Sequence, residues 1–131
     1  MSLSPRAAAS LDGNVPPAIA AALAAADRLI EGLVDADPSA VARELALDVC
    51  AWWHDGTRLR SVHGPIAVAR AFVALLAERR PDQLLARATP EGSVLVSALS
   101  ADRIAWSLEL RAEGEHFTGC IVRGARPPDR H

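Results

Sequence analysis

The chain has 131 residues, half of them apolar, and a formal net charge of −2 at neutral pH. This composition is typical of a single folded domain with one core, and it excludes the disordered class. Because the 14 basic residues are balanced by 16 acidic ones, the basic excess that nucleic-acid binding requires is absent, and we expect no nucleic-acid partner.

The two ends of the chain are predicted to be tails around one domain. Asp12 and Gly13 interrupt the apolar run that a signal segment needs, and no apolar stretch reaches the ~20 residues that span a bilayer. The two cysteines are too few for a disulfide scaffold and lack zinc-ligand spacing. We therefore expect a cytoplasmic protein with no membrane association, no metal and no cofactor. The predicted parts are a flexible tail at 1–13, a single domain at 14–124 and a C-terminal tail at 125–131.

The first predicted element is a long helix with one buried face. Asn14 is its expected cap, Pro16 and Pro17 fall in its first turn, and it extends towards Asp35. Apolar residues recur at steps of three and four, which is typical of an amphipathic helix. The predicted stripe consists of Ile19, Leu23, Ala26, Ile30 and Leu33.

Two further helices are predicted from a cap or glycine that precedes a proline. Asp37-Pro38 indicates the start of a short second helix, and Gly64-Pro65 indicates the start of a third that ends at Arg79-Arg80-Pro81. The inward-facing residues are predicted to be Val41 and Leu45 in the second helix, and Ile66, Ala69, Val73 and Leu76, with Phe72 beside them, in the third.

The strands are predicted from a change of period and from turn residues. The stretch DVCAWWHDGTRLRSVHG, residues 48–64, is rich in β-forming residues and has Asp55-Gly56 at its middle, which predicts a hairpin. Turn-type clusters separate four later strands, QLLARAT, SVLVSAL, RIAWSLELRA and HFTGCIVRG. In the third of these, alternation places Ile104, Trp106, Leu108 and Leu110 on one face.

This order of elements predicts an α+β fold in which three N-terminal helices pack on a curved antiparallel sheet, forming a cone-shaped half-barrel. The stretch LALDVCAWWHDGTRLRSVHGPIAVARAFVALL combines a strand, an aromatic-Asp-Gly turn, a second strand, Gly-Pro and a helix. In this respect the chain resembles the nuclear transport factor 2-like (cystatin-like) superfamily. That superfamily includes ketosteroid isomerases, SnoaL-like polyketide cyclases and the carboxy-terminal domains of some extracytoplasmic-function sigma factors.

The resemblance implies a candidate catalytic base. The spacing from Asp55 to Gly64 matches that from the catalytic aspartate of ketosteroid isomerases to the glycine before the next helix. Asp55 also shares a strand face with Val49, Ala51 and Trp53, and an apolar setting there would raise the pKa of its carboxyl group. The plainer interpretation is that Asp55 only forms the turn with Gly56.

The resemblance does not identify the hydrogen-bond donor that an enolate mechanism needs to stabilise its oxyanion. Ketosteroid isomerases use a tyrosine and a protonated aspartate to stabilise the oxyanion, whereas this chain has no tyrosine. An indole N–H of Trp53 or Trp106, or an imidazole of His63 or His116, is the available replacement. His63 is also a candidate partner of Asp55 across the hairpin, and the two tryptophans have a plainer role as core residues.

Three functions are therefore predicted. Binding ranks above catalysis, because the sequence offers a candidate base but assigns no group that stabilises the oxyanion. The first is an apolar pocket that binds a hydrophobic small molecule, lined by Leu23, Ile30, Trp53, Phe72, Trp106, Phe117 and Ile121. The second is an isomerase or cyclase in which Asp55, helped by His63, moves a proton on a polyketide-, terpenoid- or steroid-like substrate. The third is a homodimer formed through the outer sheet face by Trp52, His54, Thr118 and Cys120.

Overall fold

The computed structural model describes residues 16–54 and 59–125. The described residues form three helices, α1 (Pro17–Val34), α2 (Pro38–Ala42) and α3 (Pro65–Glu78). They also form six strands, β1 (Leu45–His54), β2 (Leu59–His63), β3 (Gln83–Ala88), β4 (Val94–Ser100), β5 (Arg103–Glu113) and β6 (His116–Arg123). The predicted element order is confirmed. The cap at Asn14, the turn at Asp55-Gly56 and the tail at 1–13 lie outside the described residues, and so does the C-terminal tail after Ala125.

The strands form one curved, open sheet in the order β2-β1-β6-β5-β4-β3. The hairpin β1–β2 and the meander from β3 to β6 are antiparallel, as predicted. The prediction of a wholly antiparallel sheet is wrong at one place, because β1 and β6 pair in parallel. Two strands so far apart in the chain have no short turn to impose opposite directions, so the intervening elements set their relative orientation.

The start of α2 follows the capping signal. The Asp37 carboxylate accepts hydrogen bonds from the backbone N–H groups of Ser39 and Ala40, at 3.1 and 3.3 Å, which satisfies two groups left open at a helix start. The helix ends sooner than predicted, at Ala42. Leu45 is buried, as expected, but it is the first residue of β1 and not part of the helix.

The buried face of α3 is rotated relative to the predicted stripe. Ile66 is 55% exposed and Val73 is half-buried. Phe72, the largest apolar side chain of the helix, is buried near the centre of the inward face, and Ile66 lies six residues away, about 120° around the helix axis. The residues buried instead are Val68, Ala69, Ala71, Phe72, Leu75 and Leu76.

Shifts of strand register explain two further differences from the predicted alternation. The β4–β5 register shifts between Ala98 and Leu99, so Ile104 is 64% exposed although Trp106 is buried. A second shift occurs in the β5–β6 ladder next to Phe117. An extra residue in one strand reverses the faces that follow it, which simple alternation in a sequence does not reveal.

The helices cover one face of the sheet, here called the inner face, and the buried apolar residues form one core between the two layers. Helix α1 packs on β3 and β4, whereas α3 packs on β1 and β2. The core extends to Ala125, which is buried beyond the end of β6. None of the described helices is both long enough and apolar enough to cross a membrane.

Candidate ligand site at the inner face of the sheet

Strand β1 presents alternate residues to the core and to the outer face of the sheet. Val49, Ala51 and Trp53 have no exposed surface, and this confirms the predicted inward parity. Trp52 and His54 lie on the outer face and are exposed. Asp55, the predicted base, lies outside the described residues, so its role stays a prediction.

Trp53 is the unusual residue of the inner face, because its indole nitrogen is buried and finds no partner in the part of the chain that the structure describes. Its ring packs against Phe72, with 5.7 Å between the ring centroids and 50° between the planes. Within residues 16–54 and 59–125, no acceptor lies within hydrogen-bond distance of its indole Nε1. A buried N–H left unpaired costs about 1–3 kcal/mol. This atom is therefore a hydrogen-bond donor that the described residues leave open.

Trp106 has the same side chain on the same face, but its N–H is already used. Its Nε1 donates to the backbone carbonyl oxygen of Arg79 at 3.0 Å, at the residue where α3 ends. This hydrogen bond satisfies a carbonyl group that the helix leaves open. Of the two indole donors that the sequence offered, Trp53 alone keeps a donor without a partner in the described part of the chain.

The other residues predicted to line a pocket belong mostly to the packed core. Leu23, Ile30, Phe72, Trp106 and Phe117 are each at most 3% exposed and belong to the same cluster as Trp53. They share one closed core, in which Phe72 contacts the Trp53 ring, and their role in lining a pocket stays a prediction. A ligand that reaches Trp53 must therefore displace packed side chains.

The seventh predicted lining residue, Ile121, lies on the other face. Cys120 and Val122 are fully buried, whereas Ile121 is half-buried and aligns with Trp52 of β1. The prediction had the parity of this segment reversed, because the register shift beside Phe117 was not foreseen. Cys120 is accordingly a core residue and is not available at the outer face.

The histidines considered for chemistry are exposed and away from the inner face. His63 pairs with Cys50 in the β1–β2 ladder, on the face opposite Trp53. Its Nε2 lies 3.3 Å from the Ser61 hydroxyl oxygen and 4.0 Å from the Cys50 sulfur. Since the inner-face parity of β1 runs through Ala51 and Trp53, His63 is poorly placed to assist chemistry there.

The outer face carries the remaining residues predicted for an interface. Trp52 is 38% exposed, and Thr118 is half-buried with its hydroxyl 3.5 Å from the backbone oxygen of Arg111. Thr118 also lines a shallow groove of about 280 Å³. The other lining residues of this groove are Glu91, Gly92, Ser93, Arg111, Ala112, Glu113 and Gly119.

Glu109 is the centre of a polar network on the outer face. Its carboxylate accepts a hydrogen bond from the Ser93 hydroxyl at 2.9 Å and pairs with Arg123 at 3.3 Å and Arg111 at 3.6 Å. Burial alone would raise the pKa of Glu109. The hydrogen bonds from Ser93 and Arg123 and the charges of the two arginines outweigh burial and lower that pKa. The network is structural and leaves this carboxylate ionised.

No group of three or more metal-ligating side chains from one chain comes together in the described ranges.

No protein-family model matches the chain, and no curated protein does either. Similarity is found among solved structures. A steroid delta-isomerase from Pseudomonas aeruginosa aligns with a TM-score of 0.57 and 19% identity, over 84% of this chain and 81% of that one.

Two other solved structures resemble the chain to a similar extent. A putative polyketide cyclase from Xanthomonas campestris pv. campestris aligns with a TM-score of 0.55 and 14% identity, over 81% of this chain and 91% of that one. A de novo designed protein with a curved β-sheet aligns with a TM-score of 0.57 and 13% identity, over 83% and 86%. Identities this low establish the shared fold and leave the chemistry open, because a fold can carry unrelated functions.

Proposed function

We propose that this chain, which has the nuclear transport factor 2-like fold, binds an apolar small molecule that carries a hydrogen-bond acceptor, at the inner face of its sheet beside Trp53. The observation that carries the proposal is the fully buried indole N–H of Trp53, which has no acceptor in the described part of the chain. The apolar part of the ligand would replace side-chain contacts of the core, and its acceptor would pair with Nε1.

The arrangement around Trp53 sets the chemical class of the ligand. Its ring neighbour Phe72 is apolar, and so is the buried core cluster to which both residues belong, so a charged ligand would be desolvated there without compensation. A ketone or similar neutral carbonyl combines an apolar body with one acceptor. Such a ligand supplies a hydrogen bond that residues 16–54 and 59–125 leave unmade.

The test uses the indole N–H signals of the three tryptophans in a ¹H–¹⁵N NMR spectrum. The probes are 2-acetylnaphthalene, which has a carbonyl acceptor, and 2-isopropylnaphthalene, which has nearly the same shape but no acceptor. We expect the ketone to move the Trp53 indole proton downfield and to bind about fivefold more tightly than the hydrocarbon, since one neutral hydrogen bond contributes about 1 kcal/mol.

The matched variants are Trp53→Phe and Trp106→Phe. Loss of the Trp53 N–H should abolish the preference for the ketone. Loss of the Trp106 N–H should lower stability and leave that preference intact, because this group already donates to Arg79. Equal binding of both probes to the unmodified chain, or a shift confined to exposed Trp52, would refute the proposal.

The enzymatic alternative adds Asp55 as a general base to the same site. It is favoured by the structural likeness to a steroid delta-isomerase and a putative polyketide cyclase, and the Trp53 N–H would supply the missing oxyanion donor. A β,γ-unsaturated 3-ketosteroid is the direct probe, since its conversion to the conjugated enone is followed by ultraviolet absorbance. Asp55→Asn should abolish turnover and preserve affinity, whereas an unchanged rate would leave Asp55 with a turn role only.

We also propose that the outer sheet face meets a second copy of the chain. Trp52, 38% exposed, aligns across the parallel ladder with half-buried Ile121. Two apolar side chains side by side on an uncovered sheet face favour burial against a partner. In a two-fold dimer the same patch would meet itself.

A further inference from the structure

Cys50 and His63 form a pair of metal-ligating groups, a thiol and an imidazole, on the outer sheet face. They lie directly opposite each other in the β1–β2 ladder, so the hairpin fixes their backbones relative to one another. The Cys50 sulfur and the His63 Nε2 are 4.0 Å apart. The imidazole is exposed and the thiol is half-buried, so the pair is accessible from the outer face.

This separation is close to what one zinc ion requires. Zn–S and Zn–N distances of about 2.3 and 2.0–2.1 Å at a tetrahedral angle place sulfur and nitrogen roughly 3.6 Å apart. A small rotamer adjustment of His63 therefore brings both atoms onto one ion. As a thiol–imidazole hydrogen bond, by contrast, a separation of 4.0 Å is at the limit of the interaction.

One chain supplies too few ligands for a closed site. Tetrahedral zinc is held by four protein ligands, or by three and a water, and the described part of the chain brings no third metal-ligating side chain to this pair. A two-fold axis that passes beside the pair would add the same two groups from a second copy. The result is a set of two cysteines and two histidines.

We propose that Cys50 and His63 are half of a zinc site that is completed by the same two residues of a second copy. The inference rests on the outer-face homodimer proposed above, to which it adds a ligand and two ligating residues. Cys50 supplies a thiolate and His63 the lone pair of Nε2. The proton displaced from the Cys50 thiol passes to solvent when the metal binds.

Burial distinguishes Cys50 from the other cysteine. Cys120 has no exposed surface, so it is out of reach of the metal. Cys50 is half-buried and lies on the outer face, so its sulfur is within reach of an ion.

The experiment adds ZnCl₂ or CoCl₂ to the full chain after treatment with EDTA. We expect half an equivalent of zinc per chain after desalting, a dimeric mass in sedimentation, and in the cobalt form both thiolate-to-cobalt charge transfer and the visible bands of tetrahedral Co²⁺. Zinc should also slow the labelling of Cys50 by a thiol reagent. Cys50→Ser and His63→Ala should each abolish the half-equivalent of zinc.

The matched controls are His116→Ala, at an exposed histidine where β6 begins, and Cys120→Ala. Both should keep the cobalt thiolate spectrum. A full equivalent of zinc on a monomer, the absence of a thiolate band, or equal loss in His116→Ala would overturn the zinc site. The sedimentation mass in EDTA judges the dimer separately: a metal-free dimer without zinc binding refutes only the zinc site, whereas a monomer under every condition refutes both.

Discussion

Trp53 and Trp106 lie on the same face of the sheet, and they differ in whether the indole N–H already has a hydrogen-bond acceptor among the described residues. Their burial could be predicted from strand alternation. The hydrogen bond that occupies Trp106 could not, because its acceptor on Arg79 lies 27 positions away in the chain and depends on how α3 ends against the sheet. The sequence therefore predicts two candidate indole donors. A contact between residues distant in the chain occupies that of Trp106, and this leaves Trp53 as the candidate.

Glu109 gives a prediction for the effect of pH at the scale of one residue. Because its pKa is lowered in the folded state, the unfolded chain binds the proton more readily. Its contribution to the free energy of unfolding is therefore complete above the ordinary glutamate pKa of about 4.3 and is lost as the pH falls through the lower folded-state value. Urea unfolding at a series of pH values should show this loss in the unmodified chain.

Glu109→Gln should lower the free energy of unfolding by about 1 kcal/mol at neutral pH and make it depend less on pH in the acidic range. The matched control is Glu113→Gln, because Glu113 is exposed on the same strand. An acid dependence that is identical in Glu109→Gln and the unmodified chain would contradict this role of the network.

At the scale of elements, the order of helices and strands was predictable, and the positions at which faces reverse were not. Caps such as Asp37 and turn clusters are local signals. The rotation of α3 about Phe72 and the extra residue that turns Ile104 outwards are set by contacts with other elements. The register shift between β5 and β6 is likewise set by such contacts. Because the sequence does not reveal it, the prediction assigned Ile121 to the pocket and Cys120 to the interface, and both assignments are wrong.

The close contact between α1 and α2 yields a prediction at this scale. A Cβ atom on Gly32 would lie 2.9 Å from Val41 Cγ2 and 3.0 Å from the Val41 backbone nitrogen. Alanine normally stabilises a helix interior by about 1 kcal/mol relative to glycine, but overpacking of this kind costs about 1–3 kcal/mol. Gly32→Ala should therefore lower the free energy of unfolding, by about 1 kcal/mol in denaturant titration.

The control for this prediction is Ala24→Gly, at an exposed position of the same helix. It should be destabilising through helix propensity alone, by about 1 kcal/mol. Higher stability of Gly32→Ala than of the unmodified chain would show that α2 can move away and that the close approach is not required.

At the scale of the whole molecule, the two faces of the sheet have different expected partners. A second copy on the outer face predicts that Trp52→Arg shifts the mass in sedimentation towards the monomer, because a charge would replace the exposed indole at the contact. Ile66→Arg is the matched control, since Ile66 is 55% exposed on a helix. A dimer that persists in Trp52→Arg, or dissociates equally in Ile66→Arg, would place the contact elsewhere.

Strand β6 lies in the middle of the sheet although it comes last in sequence among the six described strands, with β1 on one side and β5 on the other. During synthesis on the ribosome, the early hairpin and the later meander therefore cannot join until His116–Arg123 has emerged and inserted between them. Before that moment, β1 and β5 each expose an unpaired edge, which favours pairing with other chains. Folding of this protein should consequently be slow and should be most vulnerable to aggregation just before translation of β6 is complete.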